Sequence, residues 1–395
     1  MAAFLLDSAA VSGLTVVPLF VVTQLRGGAG MSGAIGGLHG AAYTVVSLIC
    51  ARLMSQAPKG VHSVAGGILG FACLFCLAPL TWNPYLYGAV SSLGFGCVAL
   101  VWPAMWAWIG SDPDPERRSR SIGLYNISWS AGVAIGPLLA GWLYAIDYRL
   151  AFFAIFILAL SALLIELTVP HRKRSAVASE GTVMPQPAPY DRESEVRLHA
   201  AWLANFFGWT MFGAARSVYV KRLDILVDTD AVALLFGPLG DNAFPLTFAA
   251  AFTYLIFAAS FARAAVFLLM GRFTFWRYWF TPFAAAQVLA ACGLWWLAHT
   301  HSFVVMAGCF LLMGAVNGAC FVASIEYSLA NIGQKRGRAA AHEATVGGGN
   351  FVGAMGCGLL AVRLGVVWPF IYMPVFALIA VVAQWLLIVW RRRAV

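Results

Sequence analysis

Seven ionisable side chains stand inside long apolar runs of this sequence: Asp7, His39, Arg216, Arg263, Glu326, His342 and Glu343. A charge at the centre of a bilayer costs about 2.5–3.5 kcal/mol on insertion scales, so each of these groups requires a partner or a task. Two tasks suit them: taking up and releasing a proton, or holding a charged solute. Neighbours on a helix point about 100° apart, so His342 and Glu343 cannot face the same way. Glu343 shares its stripe with Gly347, Asn350 and Ala354, while His342 lies seven residues before Gly349. Either Glu326 or Glu343 could neutralise Arg263, as a structural ion pair or as a coupling pair. Arg216, near the outer end of its run, either meets an anionic solute or snorkels to the interface. His39 is either a hydrogen-bonded packing residue or a proton site.

The elements that must position these groups are membrane helices. With 61% hydrophobic and 10% charged residues, the chain departs from a soluble globule, where about a quarter of residues are charged. A run of about 20 apolar residues spans a bilayer. Twelve such runs are expected, at roughly 2–25, 31–54, 61–80, 85–109, 121–145, 149–169, 197–220, 245–270, 278–298, 302–329, 338–362 and 366–390. The fold class expected is an all-α membrane protein of two pseudo-symmetric six-helix bundles. The N-terminal bundle would cover 1–170 and the C-terminal bundle 197–395. A polar Ser- and Pro-rich cytoplasmic linker, 171–196, would join them.

The most patterned stretch is Arg120–Gly141, RSIGLYNISWSAGVAIGPLLAG. It carries Gly123, Gly132, Gly136-Pro137 and Gly141. Glycines four apart stack on one helix face and admit a second backbone. The pattern returns at an offset of 217 residues, so Gly132 falls on Gly349, Gly136 on Gly353 and Gly141 on Gly358. The second copy has Ala354 in place of Pro137. The same offset sets Tyr125 opposite His342, and neutral Asn126 opposite Glu343. A repeat at half the chain length indicates two similar halves. The glycine pairs are expected to face helices of the opposite half.

Gly123, Gly132, Gly136-Pro137 and Ala140-Gly141 at this spacing resemble the fifth-helix signature of the major facilitator superfamily, best matched by its proton-driven antiporters. Ala140 stands where a glycine is usual. The resemblance implies rocking of two six-helix halves about a central site. It also implies that Asp7, in its helix and depth, is similar to acids used for proton coupling in some members. Trp102, Trp129 and Trp209 would then offer an aromatic surface to a solute; an interfacial belt is the other reading. The loop ARLMSQAPKG occupies the place of the superfamily's loop signature but has Ser55 where an acid is expected. GRFTFWR from Gly271 lacks the acid too.

The net charge of +9 does not indicate a nucleic-acid partner, because the basic residues crowd alternate loops. With the N-terminus cytoplasmic, Arg52, Lys59, Arg117, Arg118, Arg120, Arg172, Lys173, Arg174, Arg192, Arg197, Arg272, Arg277, Lys335, Arg336, Arg338 and Arg391–Arg393 would share that side, against Arg26, Arg149, Lys221, Arg222 and Arg363 on the other. Both termini are therefore expected to be cytoplasmic.

No zinc spacing, phosphate loop or nucleophile motif occurs in a loop able to hold one, so an enzyme is not expected, nor a cofactor or metal. The expectation is a monomeric multi-pass protein of a bacterial inner membrane. It would export a small organic solute with protons as the coupling ion. Proton- or sodium-coupled uptake of a metabolite, and a non-transporting receptor or assembly factor on the same fold, are the alternatives.

Overall fold

The computed structural model describes residues 1–54, 60–102, 104–105, 115–168, 191–228, 248–273, 275–330 and 335–394. The first half contains α1 (Ala2–Thr23), α2 (Ala29–Met54), α3 (Gly60–Gly70), α4 (Pro84–Val98), α5 (Pro115–Ile146) and α6 (Tyr148–Thr168). The second contains α7 (Arg192–Ser217), α8 (Phe248–Arg272), α9 (Thr281–His299), α10 (Phe303–Ala330), α11 (Lys335–Phe351, resumed at Cys357–Leu364) and α12 (Trp368–Ala394). Ten helical stretches among the described residues are long and apolar enough to cross a membrane. The two others have visible reasons. α4 is described over only 15 residues, and α7 opens on a charged turn and carries Asn205 and Arg216.

Local chemistry sets the ends. Asn83 caps α4 by accepting from the Tyr85 and Leu86 amides, with Pro84 at the first position, where its missing N–H costs nothing. Asp191 caps α7 by accepting from the Ser194 amide at 3.0 Å. α7 therefore starts several residues before the apolar run that the sequence picks out.

Each half wraps its inner helices around an aromatic knot. Phe20 of α1 meets Tyr87 of α4 at 4.8 Å and the edge of Phe152 of α6 at 5.6 Å. In the second half, Tyr219, just past α7, meets Phe310 of α10 at 5.7 Å and Phe370 of α12 at 5.5 Å.

The signature glycines explain how the helices approach. A Cβ on Gly132 would stand 2.5 Å from the Phe4 carbonyl oxygen, and one on Gly136 2.7 Å from that of Ser8. In the second copy, Gly349 meets the Phe206 carbonyl and Gly353 that of Thr210, closer still. These four glycines thus seat α5 on α1 and α11 on α7, each within its own half, and the expectation that they face the opposite half is corrected. The spacing says that a backbone approaches but not whose. The third glycine of each copy does cross: Gly141 meets Thr253 of α8, and Gly358 meets Gly33 of α2. α2 against α11 and α5 against α8 form the seams between halves. In the α2–α11 seam, Gly40 and Gly347 lie backbone to backbone.

Pro137 sits inside α5. α11, with Ala354 there, instead widens into a π-helical turn at Val352–Gly356. Both devices break the regular ladder at the same place in the repeat. Gly123 lies on α5, but its surroundings are outside the described residues, as are those of Asn126 and Lys59.

Charged residues gather where the chain ends. Arg338 of α11 forms a two-pronged pair with Glu195 of α7, at 2.8 Å and 3.0 Å. Tyr278 donates to the Asp191 carboxylate at 2.5 Å and stacks on Tyr327 at 6.1 Å. Glu326 pairs with Arg277 in the α8–α9 connection, with both side chains about 40% exposed.

Candidate functional site

Where the two halves meet, the structure brings together buried polar groups from α1, α2, α5, α7, α8 and α11. The Tyr43 hydroxyl of α2 donates to Glu343 Oε2 of α11 at 2.7 Å, one half bonded to the other. Arg216 of α7 donates to Asn350 Oδ1 at 2.6 Å, and the Asn350 amide donates to the Gly36 carbonyl at 3.0 Å. Asn350 lies seven residues after Glu343, two turns along the same face of α11. That face therefore makes two cross-half hydrogen bonds. Glu343 and Asn350 are both buried, so both bonds matter more than they would at a surface.

Asp7 of α1 is 3% exposed, and its Oδ2 has no hydrogen-bond partner. The Trp129 indole of α5 and the Arg263 guanidinium of α8 are its polar neighbours. Arg263 of α8 is also 3% exposed. Among the described residues it makes neither an ion pair nor a hydrogen bond; its Nε is unpartnered. Its guanidinium lies 5.4 Å from the Trp209 ring and 5.1 Å from that of Phe212, while Arg216 lies 5.6 Å from the same Phe212 ring. Two buried cations thus flank one aromatic side chain. Cation–π attraction offsets part of their desolvation but supplies no acceptor for their N–H groups.

On the side of the cluster toward the chain ends, Trp129 stacks on Phe267 of α8 at 4.5 Å and on Phe321 of α10 at 5.5 Å. One aromatic side chain of the first half is therefore packed between two of the second.

The structure sorts the residues singled out in the sequence. Asp7, Arg216, Arg263, Glu343, Trp129 and Trp209 converge on the junction. Tyr125 is buried beside them, and both Asp7 and Glu343 act on it. His342 turns away: its Nδ1 shares a 2.8 Å hydrogen bond with Ser324 of α10, and Phe321 meets its ring edge-on at 4.5 Å. His39 shares a 3.0 Å bond with Ser91 of α4 and packs on Phe95 within its own half. Trp102 is buried in the main apolar core. Glu326 stands apart with Arg277, so it is not the partner of Arg263; nor is Glu343, which is bonded to Tyr43. The Asn126 side chain lies outside the described residues.

Sequence reasoning missed Tyr43, Phe212 and Asn317. Asn317 of α10 is fully buried with both amide atoms unpartnered. A buried amide in an apolar run is a legible signal; Tyr43, 300 positions from Glu343, offers none.

Two helical halves, seamed by glycines and meeting at buried ionisable groups, define a multi-pass membrane transporter rather than an enzyme. The sequence model of the Major Facilitator Superfamily matches residues 1–341, and the chain belongs to that family. A relative in Bacillus subtilis (strain 168), the uncharacterized MFS-type transporter YfkF, is 23% identical over 318 residues, covering 75% of this chain and 72% of that protein. Among solved structures, the fold is similar to a bacterial homologue of the human lysosomal transporter Spinster in an inward-facing, occupied conformation. That likeness has a TM-score of 0.69 at 14% identity and covers 98% of this chain and 95% of the other. The nucleoside transporter NupG gives a TM-score of 0.63 at 15% identity, covering 98% and 97%. The human organic anion transporter MFSD10 gives 0.61 at 16% identity, covering 97% of each. At these identities the likenesses show the fold. The chain is a secondary transporter of a small molecule across a membrane.

Proposed function

We propose that the protein exports a small organic solute in exchange for protons, by rocking its two halves about the junction of α1, α2, α5, α7, α8 and α11. The observation that carries this reading is the Tyr43–Glu343 bond, a protonatable group held across the seam that must open and close. A carboxylate can accept a proton when the seam parts and release it when the Tyr43 hydroxyl returns, because that donor favours the ionised form. Asp7 and Arg263 form a second charged couple between the halves, available to sense what Glu343 has done. The helix-5 signature favours the antiport direction. Residues 1–170 and 197–395 act as the rocking units and 171–196 as their linker. Basic residues on the side of the chain ends favour cytoplasmic termini in a bacterial inner membrane, with a single chain as the working unit.

The test is proteoliposomes carrying the purified protein with pyranine inside, challenged with a panel of organic solutes. A solute-evoked change in internal pH, present with the protein and absent from empty liposomes, supports exchange with protons. Solute flux that leaves internal pH unchanged and follows a sodium gradient instead overturns it in favour of sodium-coupled movement. No flux of any panel member, with the protein folded, overturns proton-coupled exchange of solutes of this kind.

A further inference from the structure

Resting on that transport reading of the junction, we infer that its solute is an organic anion with a flat apolar body, whose carboxylate seats on Arg263. The donors without acceptors at the meeting of α7, α8 and α10 define this chemistry. Arg263 offers N–H groups that no described residue accepts. Trp209 Nε1, beside the guanidinium, is buried without an acceptor. Asn317 has neither a donor nor an acceptor partner on its amide. The residues next to Trp209 and Asn317 in sequence show how closely α7, α8 and α10 approach here. A Cβ on Gly318 would stand 3.2 Å from Arg263 Cγ, and one on Gly208 would stand 3.3 Å from Asn317 Nδ2. Unsatisfied buried donors are rare in folded proteins, and several at one place call for an acceptor-bearing guest.

Charge sets the sign of that guest. Arg216 and Arg263 both lie against Phe212, so a cation placed there would sit between two guanidiniums. The other charged groups of the junction are accounted for. Glu343 accepts from Tyr43, and Arg216 donates to Asn350. Asp7 is packed against α5, where the absent Cβ of Gly132 would stand 3.0 Å from its own. Asp7 acts on Arg263 without forming an ion pair within 4 Å, so a solute carboxylate and Asp7 compete for one cation.

The walls set the shape of the body. Phe267 follows Arg263 by four residues on α8, and Phe321 follows Asn317 by four on α10, so both rings share a face with the donors. Trp129 is stacked on both rings from the opposite half. Trp129 fills this place while the halves are together, and a planar apolar body would take its place against Phe267 and Phe321 when they rock apart.

The experiment measures binding to the full chain in nanodiscs, apart from flux. The probes are benzoate, 1-naphthoate and indole-3-acetate, each against its neutral amide. At least one acid is expected to bind at least tenfold more tightly than its amide. Arg263→Gln should weaken that acid roughly 10- to 100-fold, as loss of a hydrogen bond to a charged group does. Trp209→Phe keeps an aromatic, though smaller, ring, removes the donor and should weaken binding severalfold. Asp7→Asn should tighten it, because the competing carboxylate is gone. If Arg263→Gln does not fold, Trp209→Phe and Asn317→Leu carry the test. Failure of all three acids to bind, equal binding of the amides, or unchanged affinity in the variants overturns the assignment. Anion binding without flux would remove the transport reading and keep the site. Flux of neutral or cationic solutes without anion binding would do the reverse.

Discussion

α5 rests on α1 through Gly132 and Gly136, and α11 rests on α7 through Gly349 and Gly353, with the same sequence of backbone contacts. The contacts match residue for residue: Phe4 with Phe206, Asp7 with Trp209, Ser8 with Thr210. What those places carry differs. The first half has its acid on the supporting helix, as Asp7, and an indole on the glycine helix, as Trp129. The second half reverses this, with Trp209 on the supporting helix and Glu343 on the glycine helix. The repeat thus preserves packing and leaves the chemistry free to differ. Each half then brings to the seam a polar group that the other lacks: Tyr43 for Glu343, and Asp7 for Arg263.

The comparison breaks most sharply at the glycines. Gly353→Val drives methyl groups into the Thr210 carbonyl, and overpacking of this kind costs about 3 kcal/mol or more where backbone must move. Folded protein recovered from membranes, read by size-exclusion chromatography and Tm, should nearly vanish. Gly136→Val should cost less, about 1–3 kcal/mol, since its nearest backbone atom is farther away at 2.7 Å. Gly308, with nothing within 4 Å, should accept the same change with little loss of Tm. Equal tolerance at all three would make the shared packing incidental.

Tyr43→Phe removes the donor from Glu343 and should cost about 1–3 kcal/mol of stability, the penalty for a buried acceptor left alone. A thermal-shift assay reads it, and a Tm equal to wild type would mean that this cross-half bond contributes nothing. Trp129→Leu tests the indole of the first half. Losing its stacking should cost about 0.5–1.5 kcal/mol beyond the lost contact area. The seam between α5 and α8 should also open more readily, seen as faster alkylation of a cysteine placed at position 253, which lies against Gly141 across that seam.

The smallest effect lies outside the membrane. Burial alone would raise the Asp191 carboxyl, but hydrogen bonds from Ser194 and Tyr278 outweigh it and hold it below the usual carboxylate range. A depressed folded value stabilises the fold above the unfolded value of about 3.9, and that contribution fades as pH falls through the folded value. Asp191→Asn keeps the cap, so it should cost under about 1 kcal/mol at pH 7. The difference from wild type should shrink as pH falls below about 4 and vanish once the folded carboxyl is itself protonated. A Tm gap that persists at still lower pH would contradict the charged role of this carboxyl.

Particular residues show what the sequence could tell. The apolar runs and the 217-residue offset carry the fold, and the offset exposes Glu343 against Asn126 as the odd place in the repeat. The stripe through Glu343 and Asn350 is also correct, since helical period alone puts them on one face. The partner of each group is another matter. Period locates a face, but helix rotation and crossing decide which neighbour it meets. The spacing of Gly132 and Gly136 therefore suggested the opposite half where α1 is the neighbour. Arg263 and Glu326 lie at similar depths, yet Glu326 turns out toward Arg277. His342 belongs to Ser324 rather than to the junction, because the roughly 100° that separates it from Glu343 aims it at α10.

The central claim is that Glu343 carries the proton, and Glu343→Gln tests it most directly, because glutamine keeps the shape and can still accept from Tyr43. The measurement compares two assays on the same proteoliposomes: solute accumulation driven by a pH gradient, and exchange of labelled for unlabelled solute with no gradient. The account predicts a variant that folds and exchanges near the wild-type rate, with accumulation lost at every pH tested. Wild-type pH-driven accumulation by Glu343→Gln would contradict it and move the proton site to Asp7.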